Sequence, residues 1–182
     1  MSEILVKVMT KSAIQNALST HHQLFIDRIN SLSETAFVFQ KNGKWSAGQQ
    51  LDHINRAVSP VALAFSLPKF LPIILFGKAN RPSKNYEDLV EKYKKALSKG
   101  GKASGRFIPK TISVQQKAQL TQKLHRTLDK LIAKIDLFSE EDLDSHILPH
   151  PLLGKLTFRE MLYFTIYHVQ HHHVLMLKYL GD

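Results

Sequence analysis

The chain has 182 residues, 43 % of them apolar and 22 % charged, which is ordinary globular usage and unlike that of a disordered chain. It contains no cysteine, so a disulfide framework, a thiolate nucleophile and cysteine-ligated zinc or iron–sulfur sites are excluded. The net charge of +10 is concentrated, because residues 78–110 hold ten Lys or Arg against three acids; a solvated lysine-rich surface explains that stretch better than an anion site does.

The start, MSEILVKVMT, carries Glu3 and has no apolar core of the secretory type. The most apolar window, residues 61–76, falls short of the roughly 20 residues a bilayer requires. Pro68, Lys69 and Pro72 interrupt it further. These features predict a soluble, cytoplasmic protein with no membrane segment, folded as one domain over residues 1–182.

Apolar residues at Ile14, Leu18, Phe25, Ile29, Leu32, Ala36 and Phe39 have helical spacing and predict a helix near 11–40, closed by Asn42-Gly43. His21 and His22 fall where this stripe lacks an apolar residue and read as edge-of-core positions within reach of a cavity. Ser46 with Gln49 has the spacing of a capping box and opens a helix near 46–66, with Leu51, Ile54, Ala57, Val58 and Val61 on its buried side. His53 lies along an edge of that face. Pro60 is expected to kink this helix and Pro68 to end it.

Residues 67–110 read as an insertion, with an apolar piece over 70–76, a short helix over 86–97 and a flexible turn over 100–105. The apolar piece should cover a cavity or the end of a bundle, or pack on a partner. Ser113 with Gln116 opens a third helix over 113–138, whose seam runs Leu120, Leu124, Leu128, Leu131, Ile135 and Phe138. Ser139 and Asp142 suggest a further turn of helix, and Pro149, Pro151 and Gly154 a loop. Thr157 with Glu160 caps a last helix over 157–180. Strand-type alternation is confined to residues 4–8. The fold class is therefore all-α, an antiparallel four-helix bundle with an insertion between helices 2 and 3.

Ten histidines are many for this length. The last helix has the seam Met161, Thr165, His168, His172, Leu175 and Tyr179, which places His168 and His172 about 40° apart near the middle of its apolar face. His171 and His173 flank that face on opposite sides. A pair spaced i, i+4 directs two imidazoles at one point, as in helical zinc motifs, and His53 on another helix is the natural third ligand. Imidazoles suit Zn, Ni, Cu or Fe, and three protein ligands leave positions open for water. The competing reading is a pair of hydrogen-bonded core histidines, although burying two polar rings with no carboxylate in the tract is costly.

The segment KWSAGQQLDH, from Lys44 to His53, resembles the first signature of the DinB-like superfamily. HPLLGKLT, from His150 to Thr157, followed by Phe158-Arg159-Glu160 and then His168-x-x-His171-His172, resembles its C-terminal signature. The resemblance spans essentially the whole chain. It implies an up-down-down-up four-helix bundle, often a homodimer, with a divalent metal ion, Zn or Ni, on His53, His168 and His172. Gln49 stands where that family usually has a glutamate, which bears on a capping or supporting role rather than on the three ligands. His150, Pro151 and Gly154 read as a turn feeding a capped helix, with His150 near the metal as the alternative. Trp45 reads as an anchor for the helix start.

The resemblance also implies a small-molecule substrate. Several relatives use low-molecular-weight thiols such as bacillithiol or mycothiol, as S-transferases or isomerases. One function is thus a metal-dependent transferase or hydrolase acting through such a thiol or through metal-bound water. The alternative is a non-catalytic, stress-associated, metal-binding dimeric bundle. Nucleic-acid binding by the basic insertion is disfavoured, since Tyr86, Tyr93 and Phe107 are few aromatics for a single-strand platform and no helix-turn-helix pattern stands out.

Overall fold

The computed structural model describes residues 8–181. Within them lie α1 (Lys11–Ser31), α2 (Glu34–Val38), α3 (Ala47–Ala64), α4 (Phe70–Phe76), α5 (Tyr86–Ser98), α6 (Lys117–Ile135), α7 (Glu140–Ser145) and α8 (Phe158–Leu180). Two short strands, β1 (Ile147–His150) and β2 (Gly154–Thr157), pair antiparallel, and 3-10 turns occupy Gly105–Phe107 and Val114–Gln116. The fold is all-α apart from that hairpin. Of the alternating stretch at residues 4–8, only Val8 lies within the described residues.

Side-chain caps set most helix starts. Thr10, Ser33, Ser46, Asn85, Ser139 and Thr157 each accept a backbone N–H from the first turn of the helix they precede. At Ser46, Ser139 and Thr157 the bond is reciprocated by Gln49, Asp142 and Glu160, completing capping boxes. Gly181, at φ 89°, ends α8 in the left-handed conformation that glycine accepts without steric cost.

α3 packs on α6 and α8, and α1 packs on the same two helices from the other side. α5 lies against α8 as well. Consequently the first half of α8, from Phe158 to Ile166, is buried all round rather than along one stripe. A single buried cluster runs through all of these helices, from Ile14 to Met176. Gly48 permits close contact between α2 and α3, because a Cβ there would lie 2.9 Å from the Phe37 ring.

Three expectations are corrected. The helix expected over 11–40 breaks at Leu32, where the backbone turns extended and the Ser33 hydroxyl caps the new helix α2. The break shifts the buried face, so Phe37 is buried and Phe39 is 51 % exposed. Helical spacing persists numerically across the break, which hides it. Secondly, the loop expected around Pro149 and Gly154 is a hairpin, with His150 opposite Gly154 and Ile147 opposite Thr157. Four-residue strands are too short to show alternation, and Pro149 sits in the exposed position of one of them. The third concerns the basic segment, which is not simply a solvated surface. Arg81 forms a two-pronged pair with Glu160, at 2.7 and 2.8 Å, and Lys92 donates to the Leu153 carbonyl.

Glu160 is fully buried, and burial alone would raise its pKa. Arg81 and the N–H groups of Lys84 and Thr157 outweigh that and hold the carboxylate below its ordinary value. The same residue therefore caps α8 and fastens the basic segment to it. Lys94, Lys95 and Lys99 are exposed instead. Changing these three to Gln should leave the thermal midpoint unchanged, whereas Arg81→Ala should cost about 2 kcal/mol, a fall of about 4–8 °C in differential scanning calorimetry.

Candidate metal centre

His53 projects from the second turn of α3, and His168 and His172 from successive turns of α8. Each is only 5 % exposed. The i, i+4 spacing on α8 and the direct packing of α3 on α8 bring the three rings to one point. Nε2 of His168 lies 3.1 Å from Nε2 of His53 and 3.1 Å from Nε2 of His172. The set is a group of side chains that could hold a metal ion.

The opposite ring nitrogens explain the orientation. His53 Nδ1 donates to the Phe107 carbonyl at 2.7 Å, and His172 Nδ1 donates to Oε1 of Gln50 at 2.6 Å. A carbonyl oxygen only accepts, so both rings carry their proton on Nδ1 and present a bare lone pair at Nε2. Burial depresses the pKa of His168 and His172 well below the ordinary imidazole value, and each is lowered further by the other histidines nearby. Burial lowers His53 too, against an opposing contribution from its Phe107 bond. The three rings are thus neutral at neutral pH, and their three converging Nε2 atoms hold at most one proton, on His168. One proton cannot satisfy both 3.1 Å contacts.

Three nitrogens held tetrahedrally at about 2.0–2.1 Å from one cation would lie about 3.3 Å apart, close to the spacing seen. The donor set therefore fits a divalent ion better than it fits a hydrogen-bonded trio. Aromatic rings fix the imidazole planes: Trp45 stacks on His172 at 6.1 Å and touches His53 at 4.9 Å, and Phe164 stacks on His168 at 4.7 Å. Trp45 is accordingly a wall of the site as well as the anchor of a helix start.

A cavity of about 860 Å³ opens beside the triad and is lined by all three histidines. His150, His171 and Tyr93 also line it. His150 Nδ1 accepts the N–H groups of Leu152 and Leu153, at 3.1 and 3.0 Å, so its proton resides on Nε2. Burial lowers its pKa to about 4. His150 thus holds the hairpin turn and faces the cavity as a neutral donor, joining the two readings the sequence left open. Burial pushes the Tyr93 phenol up, so it too stays protonated.

Other histidines lie elsewhere. His173 packs edge-on against Phe25 of α1, and His22 is buried with Nδ1 on the Leu18 carbonyl and no protein partner for Nε2. Neither lines the cavity, nor does His21. Gln49 is occupied by its capping box. Gln50, which the sequence reading passed over, is the residue that orients His172; its place three residues before His53 puts both on one helical face, a signal present in the sequence. The Phe107 carbonyl has no such signal, being main chain.

Burial of neutral imidazoles makes stability depend on pH. In the unfolded chain these groups titrate near 6.5, whereas His22 and His150 have pKa values of about 4 in the fold. The unfolded state therefore binds more protons between those limits, and stability is lost as pH falls from about 6.5 toward 4. The carboxylates of Glu140, Asp142 and Glu160 are held below their ordinary values and titrate beneath most of that window. Urea titrations of metal-free protein should show this loss, with His22 contributing on the order of 3 kcal/mol by pH 4. His22→Phe should make the profile shallower.

A family model described as the DinB superfamily matches residues 17–176. No curated protein and no solved structure matches the chain.

Proposed function

The chain belongs to the DinB superfamily, and from that premise we propose that His53, His168 and His172 hold a divalent metal ion, Zn or Ni, in a metal-dependent transferase or hydrolase. The observation that carries the reading is the convergence of three neutral Nε2 atoms that share at most one proton. The long helices support the arrangement expected of such a protein: α1 and α3 each contact both α6 and α8. We read these four as an antiparallel four-helix bundle in one domain, with residues 67–110 inserted between the second and third.

A divalent ion at this position would acidify a water or a low-molecular-weight thiol that ligates it, supplying an anionic nucleophile near neutral pH. The protein's own groups provide the rest. Gln50 and the Phe107 carbonyl fix the tautomers of His172 and His53, so both lone pairs point inward. Trp45 and Phe164 stack against His172 and His168 and hold their ring planes. Among the described residues no carboxylate lines the cavity, and His150 Nε2–H and the Tyr93 hydroxyl are placed there as hydrogen-bond donors to a bound substrate or leaving group. The substrate must bring any thiol, since the chain has none.

Metal analysis of untagged protein tests the assignment. Wild type and His173→Ala should carry equal amounts, near one ion per chain, while His168→Ala should lose most of it. Gln50→Leu should retain the site with affinity about 10–100-fold lower, measured by chelator competition. Equal metal in His168→Ala and wild type would overturn the assignment.

A further inference from the structure

The triad occupies a small part of the cavity beside it. From His53 one wall continues along α3 through Ala57, Val61 and Ala64, and from His172 the α8 wall continues one way through Phe164 and Met161, with Leu175 and Tyr179 lining the cavity on the other side of the triad. Each run extends about 16 Å along its helix axis. Leu67, Leu75 and Phe76 line the far part, so the chamber is apolar along its length.

Charge along the lining is one-sided. Lys44, Lys102 and Arg106 line the cavity, and among the described residues no Asp or Glu does. Two of these cations are chain neighbours of residues that touch the triad. Lys44 immediately precedes Trp45, whose ring touches His53, and Arg106 immediately precedes Phe107, whose carbonyl holds His53. All three cations are exposed, free to meet a ligand without first losing a buried partner. A largely apolar cavity whose only charged lining residues, among those described, are cations complements one kind of molecule.

We propose that the cavity binds an unbranched amphiphile, an alkyl or acyl chain of about ten carbons lying along α3 and α8, with a terminal anionic group held beside the triad by Lys44 and Arg106. This assigns a substrate class to the site described above and rests on that reading for the chemistry at the head group. Binding itself depends only on the cavity and its cations, so the two can fail separately. Chain length should matter strongly, since each buried methylene is worth about a fourfold change in affinity.

The single tryptophan, Trp45, lines the cavity and stacks on His172, which makes its fluorescence a direct reporter. Metal-free protein should be titrated with decanoate, hexanoate, decan-1-ol and decyltrimethylammonium. Decanoate should give a saturable change, with hexanoate and decyltrimethylammonium each at least tenfold weaker. In the Lys44→Glu/Arg106→Glu variant, decanoate should weaken at least fivefold while decan-1-ol is unchanged; both side chains are exposed, so the fold should survive. Ala64→Phe, which narrows the far part of the chamber, should weaken decanoate more than hexanoate. Equal affinity for decanoate and decyltrimethylammonium, or no saturable change with decanoate, overturns the proposal. Decanoate binding to a protein that takes up no metal would retain it and remove the metal reading instead.

Discussion

Three neutral imidazoles packed in a helix seam, with at most one proton among their converging Nε2 atoms, set the terms for the rest of the molecule. A buried polar atom without a partner costs about 1–3 kcal/mol, and a helix seam offers few partners of its own. Each outward-facing nitrogen of His53 and His172 is therefore met by a specific oxygen, from Gln50 on the next helix and from the main chain at Phe107. Phe107 is delivered by the segment that follows α5, and that segment is itself tied back by the Arg56 bond to the Arg106 carbonyl. The orientation of one histidine thus depends on residues more than fifty positions away in sequence.

This dependence gives the basic segment a second meaning. Its positive charge invites an electrostatic reading, and Lys94, Lys95 and Lys99 conform to one by their exposure. Arg81 does not. Its guanidinium meets a carboxylate that is fully buried and already engaged in capping α8, so the pair anchors the whole segment where α8 begins. Arg159, one residue earlier, does the equivalent on the other side: only 2 % exposed, it joins Asp144, Glu140 and the Met9 carbonyl. The start of the histidine-bearing helix is held by two arginines facing in different directions, which fixes its position against α3.

What the sequence disclosed divides along physical lines. Caps and seams are local patterns, and Ser46–Gln49, Thr157–Glu160 and the Leu124–Leu128–Leu131 seam translate directly into helices α3, α8 and α6. The histidine pair was equally legible, because i, i+4 spacing fixes direction on a helix whatever the tertiary context. The break at Leu32 was not, since a hydroxyl that caps and one that merely faces solvent look alike in sequence. The hairpin was hidden by its brevity, and the burial of α8 on every side by the fact that α5 arrives from a distant segment. Phe107 acts through its carbonyl, and no side-chain pattern can mark that.

The charge balance at the triad adds a further constraint. Histidine ligands in metal sites are commonly oriented by carboxylates, whose negative charge offsets part of the ion's. Here both orienting groups that the structure provides are neutral, an amide and a peptide carbonyl. The imidazoles are neutral as well, and no acid among the described residues lines the cavity. A divalent ion on this set would retain its full charge within an apolar, partly enclosed space, where the interaction with an anion is far stronger than in water. Compensation must therefore arrive with the ligand. Whether that anion is a deprotonated water, a thiolate or the head of an amphiphile, the same arrangement would favour it, and Lys44 and Arg106 add to the bias from the cavity lining. With an ion bound, the neutral orienting groups at the triad and the basic residues of the lining would serve one electrostatic end, drawing negative charge toward His53, His168 and His172.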